Sequence, residues 1–337
     1  MNLKAVRVVS VVIATSLALL STSKPALSDP ALTGNAATDF TALCTFADSA
    51  NDPDLRATIG VLRTLAGRQD CALAGADLAS RAVLDLNGKG IRDVRAVAVF
   101  TQAKHLDLGR NAITNITPLA RLSNLESLTL KGNPIADIAP LSALKNLQSL
   151  SLEGVAVRDL KPLASMSKLR NLYVSNMGLT DLAPLATLSN LQVLAAAGNQ
   201  IVDIRPLSGA KALEKLNLAG NKLVDVATVA AMPKLRELDL SKNLVVTVPL
   251  LKTAAELRYL NLAQNQISDV TPLLTPREGS AQFSLRRLMT LDLSNNKIVA
   301  TAPLSRWNGS LNRLNLKGNP LPAGTPCPLN ISSYCTL

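Results

Sequence analysis

The residue types that perform most enzymatic chemistry are sparse in this sequence of 337 residues. His105 is the only histidine, and Asp107 follows it two residues later. A histidine, an aspartate and a serine form a catalytic triad only when their side chains converge in a defined geometry. Residues two apart in a strand point the same way, side by side. Asp107 would therefore not orient His105 toward a serine.

Motifs of other catalytic sites are also missing from the sequence. It contains no nucleophile elbow, no phosphate-binding loop and no metal-binding motif. We therefore expect no catalytic residue, no cofactor and no bound metal, and a hydrolase is the least favoured function.

A column of short polar residues is the strongest candidate for a metal site. It recurs at a constant interval, at Asp93, Asn115, Asp137, Asp159, Asp181, Asp203, Asp225, Thr247 and Asp269. Calcium requires about six to eight oxygen ligands that converge on one point, whereas these residues are spread along the chain. Proline follows three residues later in six of the nine places. Short polar residues and proline are typical of helix starts, so the column predicts caps of short helical turns.

The same interval governs the apolar residues. Pairs of the form Leu-x-Leu begin at Leu84, Leu106, Leu128, Leu150, Leu172, Leu194, Leu216, Leu238, Leu260, Leu291 and Leu314. The steps between successive pairs are all equal except the last two, which are longer. A polar residue between two leucines predicts a short strand with both leucines on one side. Eleven such copies would stack into a parallel sheet over a continuous leucine core.

An asparagine occurs five residues after the first leucine in most repeats. These asparagines are Asn111, Asn133, Asn199, Asn221, Asn243, Asn265, Asn296 and Asn319. A buried amide has both donors and an acceptor, so it can bond backbone groups where the chain turns away from the sheet. We expect the stacked amides to form a ladder.

The consensus LxxLxLxxNxIxDIxPLxxL is similar to the 22-residue leucine-rich repeat of bacterial internalin-like proteins. The resemblance extends from residue 84 to about residue 321 and therefore covers most of the chain. It implies an α/β fold: a right-handed curved solenoid with a parallel sheet on the concave face, short 3-10 or helical turns on the convex face and a ligand on the concave face. The sequence has no cell-wall sorting motif, so a role in host-cell invasion is not carried over.

Four cysteines flank the repeats, Cys44 and Cys71 before them and Cys327 and Cys335 after them. Eleven strands about 4.8 Å apart would separate the two ends by roughly 50 Å, whereas a disulfide needs Cα atoms within about 7 Å. The remaining pairing is Cys44–Cys71 and Cys327–Cys335. Zinc is the alternative, but no C-x-x-C pair is present.

The segment before the repeats contains one well-marked helix. Asp52 is a suitable N-cap, Pro53 suits the first turn and Gly67 suits the C-terminal end. Apolar residues on one face, Leu55, Ile59, Leu62 and Leu65, would cover the open edge of the first repeat. The stretch FTALC…TIGVLRTLAGRQDCALA also resembles the N-terminal cap of secreted cyanobacterial leucine-rich repeat proteins.

Residues 1–28 have the features of an export signal. Lys4 and Arg7 precede a mostly apolar run from Val8 to Leu20, and Ala26 and Ser28 offer small residues for cleavage. The run is too short to span a bilayer as a helix, although an uncleaved anchor is the alternative. We expect a secreted or periplasmic protein without stable membrane insertion after cleavage. The expected organisation is a signal peptide (1–28), a helical cap (29–82), the repeats (83–321) and a C-terminal cap (322–337).

The formal charge of +11 raises the question of a nucleic-acid partner. Three of the positive charges lie in residues 1–28, and no basic cluster interleaved with aromatic residues is present. Side chains predicted on the concave face have nearly balanced charges. We therefore expect no nucleic-acid binding.

The repeats that begin at Leu150, Leu172 and Leu194 depart from the pattern together. Val155 and Met177 replace ladder asparagines, and Ala196 replaces a core leucine. Drift in a redundant array would explain this, but the same strands would present an apolar patch beside Tyr173, and tyrosine is favoured at interfaces. The predicted ligand-binding residues are Glu153, Asn171, Tyr173, Val193, Ala195, Ala197, Lys215 and Tyr259.

These observations predict a monomeric, non-catalytic scaffold that binds a protein ligand. A carbohydrate- or cell-wall-binding protein is the alternative, although it would favour more than two concave aromatic residues. The nine extra residues between Leu260 and Leu291 predict a surface loop around 275–287 that is either neutral or a secondary contact through Arg277 and Phe283.

Overall fold

The computed structural model describes residues 29–274, 276, 284–307, 311–329 and 335–337. The predicted signal peptide and the two insertion residues named above, Arg277 and Phe283, lie outside these ranges.

The described residues form one parallel sheet of twelve strands, arranged in the order of the chain. The strands are β1 (Val83–Asp85), β2 (His105–Asp107), β3 (Ser127–Thr129), β4 (Ser149–Ser151), β5 (Asn171–Tyr173), β6 (Val193–Ala195), β7 (Lys215–Asn217), β8 (Glu237–Asp239), β9 (Tyr259–Asn261), β10 (Thr290–Asp292), β11 (Arg313–Asn315) and β12 (Cys335–Thr336). Each leucine pairs with its equivalent, as Leu128 with Leu150. The predicted solenoid is confirmed, and β12 adds one strand to the eleven expected.

The leucines form a single core that runs the length of the solenoid. Leu128 and Leu130 point to the same side and are buried, as are their equivalents in the other repeats. Complete burial of one leucine contributes about 1.5–3 kcal/mol. Because a single repeat cannot cover its own leucines, this stabilisation exists only when neighbouring repeats are stacked.

Short 3-10 helices return the chain from one strand toward the next. They span Thr117–Arg121, Ala139–Ala143, Lys161–Leu163, Ala183–Leu185, Arg205–Gly209, Ala227–Ala231, Thr271–Leu274 and Ala302–Arg306. The polar column precedes them: Asp137 Oδ1 accepts a hydrogen bond from Ala139 N at 2.8 Å. The carboxylate lies one residue before the formal cap position, which is occupied by Ile138. Between β8 and β9, where Thr247 replaces the aspartate, the fully described chain has no 3-10 helix.

The asparagine ladder forms as predicted. Asn221 Oδ1 accepts a hydrogen bond from Ile201 N at 3.0 Å. Its Nδ2 donates to Ala196 O at 3.0 Å and to Leu218 O at 2.8 Å. One buried side chain thus satisfies three backbone groups of two consecutive repeats.

The residue just before the ladder position adopts a positive φ in every repeat. This column comprises Gly88, Arg110, Gly132, Gly154, Asn176, Gly198, Gly220, Lys242, Gln264, Asn295 and Gly318. Left-handed backbone favours glycine, yet Lys242 and Gln264 adopt it with φ of 56° and 54°. The column turns the chain out of the sheet and onto the flank of the solenoid.

Three helices close the N-terminal end: α1 (Ala36–Ser49), α2 (Pro53–Ala66) and α3 (Cys71–Ala79). The predicted helix is α2, with Asp52 Oδ1 accepting from Leu55 N at 3.0 Å and Gly67 in the left-handed conformation. The Cys44–Cys71 disulfide joins α1 to the start of α3 with Cα atoms 6.5 Å apart.

Arg95 of the first repeat attaches the cap to the solenoid. Its guanidinium contacts the carboxylates of Asp29, Asp52 and Asp93. Thr58 on α2 adds a hydrogen bond from Oγ1 to Asp93 O at 2.7 Å. The segment before α1, helix α2 and the first repeat therefore meet at one side chain.

The C-terminal end carries the second predicted disulfide. Cys327 and Cys335 are joined with Cα atoms 6.1 Å apart, which places Cys335 in β12 beside Leu314 of β11. The last full repeat is covered by this short strand. Both predicted cysteine pairings are confirmed.

Candidate binding surface

The side of the sheet opposite the leucine core forms a continuous outer face. Alternation along each strand directs the first and third residues to this face while the middle leucine is buried. Hydrogen bonds between strands hold these side chains in rows, one residue per repeat. Residues of different repeats that were predicted to lie on the concave face are therefore neighbours on adjacent strands.

Seven of the eight predicted site residues lie together, on or two residues after four adjacent strands (β4 to β7). Register places Asn171 beside Val193, and Val193 beside Lys215. Tyr173 lies beside Ala195 in the same way. Ala197 follows β6 and is partly buried. Glu153 follows the adjacent β4, where its carbonyl accepts from Gly132 N at 2.9 Å. These residues define the mid-sheet patch.

A buried hydroxyl without a partner lies beside this patch. Ser151 is 9% exposed, and its Oγ has no hydrogen-bond partner among the described residues. Its neighbour across the strands is Tyr173. A buried polar atom without a partner costs about 1–3 kcal/mol, and the Ser151 hydroxyl lies beneath the surface, where a ligand on the outer face does not reach it.

Tyr259 does not join the mid-sheet patch. It lies on β9, four strands from Tyr173, which corresponds to roughly 19 Å at the usual strand spacing. Burial and the charges of Asp239 and Asp292 raise the pKa of its phenol. The two tyrosines therefore belong to separate parts of the outer face.

Lys215 is already paired within the chain. Its Nζ lies 2.6 Å from Glu237 Oε1 on β8, and both side chains are about half exposed. A ligand that contacts Lys215 must either bind the intact Lys215–Glu237 pair or displace Glu237 from Lys215. This pair was not predicted from the sequence.

A hydrogen-bonded row of Asp and Asn near Tyr259 was also missed. Asn261 Nδ2 donates to Asp239 Oδ2 at 3.1 Å, and Asn315 Nδ2 donates to Asp292 Oδ2 at 3.0 Å. Ser241 Oγ donates to Asp239 Oδ1 at 2.6 Å, which fixes that carboxylate. The sequence did contain a signal for this row, because Asp and Asn alternate at the third residue of successive strands.

The histidine occupies the position expected, on the exposed face of β2. Asp107 Oδ1 accepts hydrogen bonds from Gly109 N at 2.8 Å and from Asn87 Nδ2 at 3.1 Å. The carboxylate is thereby used in the local turn and in contact with the neighbouring repeat.

Among the described residues, no group of three or more His, Cys, Asp or Glu side chains is placed to hold a metal ion. In the same part of the chain, no helix combines the length and the apolar character needed to cross a membrane.

Known protein families match the repeats directly. The family described as leucine-rich repeats in two copies matches residues 104–143, 123–165 and 189–231. A second family, described as leucine-rich repeat, matches residues 212–267. No curated protein matches the chain in sequence.

Solved structures extend the similarity beyond the matched repeats. Internalin C2 from Listeria monocytogenes is 29% identical, with a TM-score of 0.56, over 72% of this chain and 94% of that one. An internalin F from the same species is 24% identical, with a TM-score of 0.53, over 81% and 91%. The ectodomain of the Arabidopsis thaliana receptor kinase GASSHO1, in complex with CASPARIAN STRIP INTEGRITY FACTOR 2, is 22% identical, with a TM-score of 0.59, over 76% and 38%.

The named structures are not cyanobacterial, so they give no support to the cyanobacterial resemblance of the N-terminal cap. The matched repeat families, the parallel sheet and the similar internalin structures all indicate the same leucine-rich repeat fold. The chain is therefore a leucine-rich repeat protein whose solenoid is structurally similar to that of Listeria internalins.

Proposed function

We propose that this chain is an exported, non-catalytic scaffold that binds a protein ligand on the mid-sheet patch. Leucine-rich repeat domains typically serve as binding scaffolds and usually lack catalytic activity. The two disulfides fit a secreted or periplasmic location, because such bonds persist in oxidising compartments.

The observation that carries the proposal is the position of Tyr173 and Ala195 on adjacent strands. Tyr173 is only partly buried and lies beside the small Ala195, which leaves room above the sheet for a ligand side chain. Aromatic residues next to small apolar neighbours concentrate binding energy in interfaces.

A carbohydrate ligand is the second candidate, favoured by the row around Tyr259. Carboxylate and amide side chains held in fixed orientation beside an aromatic ring suit a hydroxyl-rich ligand. Most of the Asp239 carboxylate is already used in contacts with Ser241 and Asn261, which limits this surface. We therefore place the protein ligand first.

Photocrosslinking in the producing organism tests the protein ligand, and a glycan array tests the carbohydrate ligand. A photoreactive residue at Ala195 should capture a specific protein, whereas the same residue at Ser142, on a 3-10 helix away from the sheet face, should not. Equal capture from both positions would contradict a mid-sheet site. Binding of purified protein to a glycan array, with loss in Tyr259→Ala but not in Tyr173→Ala, would favour the carbohydrate ligand instead.

A further inference from the structure

The flank of the solenoid carries an exposed column of valines that the sheet-face function does not use. Val202, Val224 and Val246 are 59%, 57% and 49% exposed. All three occupy the position eight residues after the first leucine of their repeats. Other repeats place there Arg92, Thr114, Ala136, Arg158, Thr180, Ser268 and Val299. Exposed valines on three consecutive repeats are therefore particular to this part of the flank.

Backbone hydrogen bonds make the valines direct neighbours. Lys222 N donates to Ile201 O and Leu244 N donates to Leu223 O, both at 2.9 Å. These bonds hold the three flank segments side by side, so the valine side chains form a continuous surface.

Two leucines extend this surface. Leu244 and Leu250 are 44% and 48% exposed, and both belong to the repeat in which Thr247 replaces the capping aspartate. This is the repeat without a 3-10 helix. We call the five residues Val202, Val224, Val246, Leu244 and Leu250 the aliphatic patch.

An exposed cluster of large aliphatic side chains is unfavourable for a protein that stays alone in water. Each Å² of apolar surface removed from water contributes about 25 cal/mol, and contiguous apolar patches typically mark interaction sites. The aliphatic patch therefore has the composition of the centre of an interface.

Charges flank the valine column in a fixed order. Lys222 lies on the side nearest the sheet, two residues before Val224, and Asp225 lies on the opposite side, directly after it. Both charged residues are exposed. Asp203, the equivalent of Asp225 one repeat earlier, is held by Arg205 through Nη2 and Oδ2 at 2.7 Å. Asp225 lies beside Val224, the middle valine of the column.

We propose that the aliphatic patch joins two copies of this chain around a two-fold axis that runs parallel to the valine column. Rotation about this axis stacks one valine column on the other and exchanges its two sides. Lys222 of each copy then meets Asp225 of the other, so the same ion pair forms twice. A two-fold interface requires such reciprocal contacts.

The perpendicular two-fold arrangement is disfavoured by the same charges. It would place Lys222 against Lys222 and Asp225 against Asp225, and like charges in an interface are repulsive. The dimer leaves the outer face of the sheet free, so it is independent of ligand binding at Tyr173. It differs from the monomer expected from the sequence.

Sedimentation velocity over a range of protein concentrations tests the dimer. The unaltered protein should pass from monomer to dimer as concentration rises, and Val224→Asp should weaken association by about tenfold or more. Lys222→Glu and Asp225→Lys should each weaken it, whereas the double variant should restore it because the pair is reversed. Asp225→Lys also removes the bond from Ala227 N, so Asp181→Lys, which loses the equivalent bond from Ala183 N outside the patch, is the control and should leave association unchanged.

The repeat that begins at Leu291 provides matched controls. Lys297 Nζ donates to Gln266 Oε1 at 3.2 Å, as Lys222 Nζ does to Gln200 Oε1 at 3.1 Å, but Ala300 stands where an acid would be needed. Val299 is 60% exposed and has Ser268 beside it. Lys297→Glu and Val299→Asp should leave association unchanged.

Three results would overturn the proposal. Purified protein that stays monomeric at every concentration would contradict the proposed dimer. Equal weakening by Val224→Asp and Val299→Asp would place the contact elsewhere. Failure of the Lys222→Glu/Asp225→Lys variant to restore association would reject the two-fold arrangement.

Discussion

Arg95, in the first repeat, forms an ion pair with Asp52, the residue that caps helix α2. The same guanidinium also contacts Asp29, which lies far away in the chain, before helix α1. A side chain outside the periodic pattern thus connects the N-terminal cap to the periodic core.

Removal of Arg95 should loosen the cap. Arg95→Ala leaves three carboxylates without their shared partner, and we expect a loss of about 2 kcal/mol in the free energy of unfolding. Chemical denaturation checks this value. Arg205→Ala is the control, because the Arg205–Asp203 pair is solvent-exposed and exposed pairs contribute little; an equal loss in both variants would contradict the role of Arg95.

Acid should destabilise the cap. Burial raises the pKa of Asp39, but hydrogen bonds from Thr33 and Gly34 outweigh it and lower that pKa below its usual value. The pKa of Asp52 is also lowered, because bonds from Leu55 N and Arg95 outweigh burial. Both carboxylates therefore stabilise the fold above about pH 4, the unfolded-state range, and this contribution is lost as pH falls through the folded-state values.

Thermal unfolding between about pH 6 and about pH 3 measures this loss. Asp39→Asn should lower stability at the upper end of this range and reduce the dependence on pH, since one of the two linked groups no longer titrates. An unchanged pH dependence in Asp39→Asn would assign the acid sensitivity to other groups.

Loss of a ladder amide should be costly. Asn221→Ala leaves Ile201 N, Ala196 O and Leu218 O without their side-chain partner, and we expect a loss of about 3 kcal/mol. Asn190→Ala removes one bond to Ser167 O on the exposed side of the chain and should cost less than about 1 kcal/mol. Similar losses measured by chemical denaturation would argue against a structural role for the buried ladder.

Alanine substitutions at two positions of the left-handed column should differ in their cost to stability. Gly220 has a φ of 67°, so Gly220→Ala should cost about 1–2 kcal/mol. Gln264 already adopts φ of 54° with a Cβ atom, and Gln264→Ala should be nearly neutral. Thermal denaturation of the two variants provides the comparison, and an equal loss in both would show that the backbone conformation does not set the cost.

Tyr173→Ala should weaken ligand binding without unfolding the protein. An interface aromatic residue contributes about 2 kcal/mol or more, whereas a partly exposed position affects stability little. Calorimetric titration with the captured ligand measures the first effect and thermal denaturation the second. Tyr259→Ala, roughly 19 Å away, serves as the control and should bind the protein ligand normally.

The sequence by itself determined the repeat architecture. A strictly periodic spacing of leucines permits one way to stack the copies, because any other register would expose half of the core. The length of the resulting stack separated the cysteines into two local pairs, and both pairs are present. Helix α2 was recognisable because Asp52, Pro53 and Gly67 mark its ends by local chemistry.

Helices α1 and α3 were not predicted from the sequence. They pack closely on each other. Helix α1 does bury apolar residues at a helical spacing, Phe40, Leu43, Cys44 and Ala47, so this signal was present in the sequence, whereas α3 is short and rich in alanine. Their position depends on the disulfide and on mutual packing.

Side-chain partners on the surface were decided only by the tertiary structure. The repeat places Lys215 beside Glu237 and Asn261 beside Asp239, but which groups bond depends on rotamers and competing neighbours. Arg95 reaches Asp29 because the cap folds back over the first repeat. Periodicity specifies the backbone, whereas these contacts require knowledge of every side chain within reach.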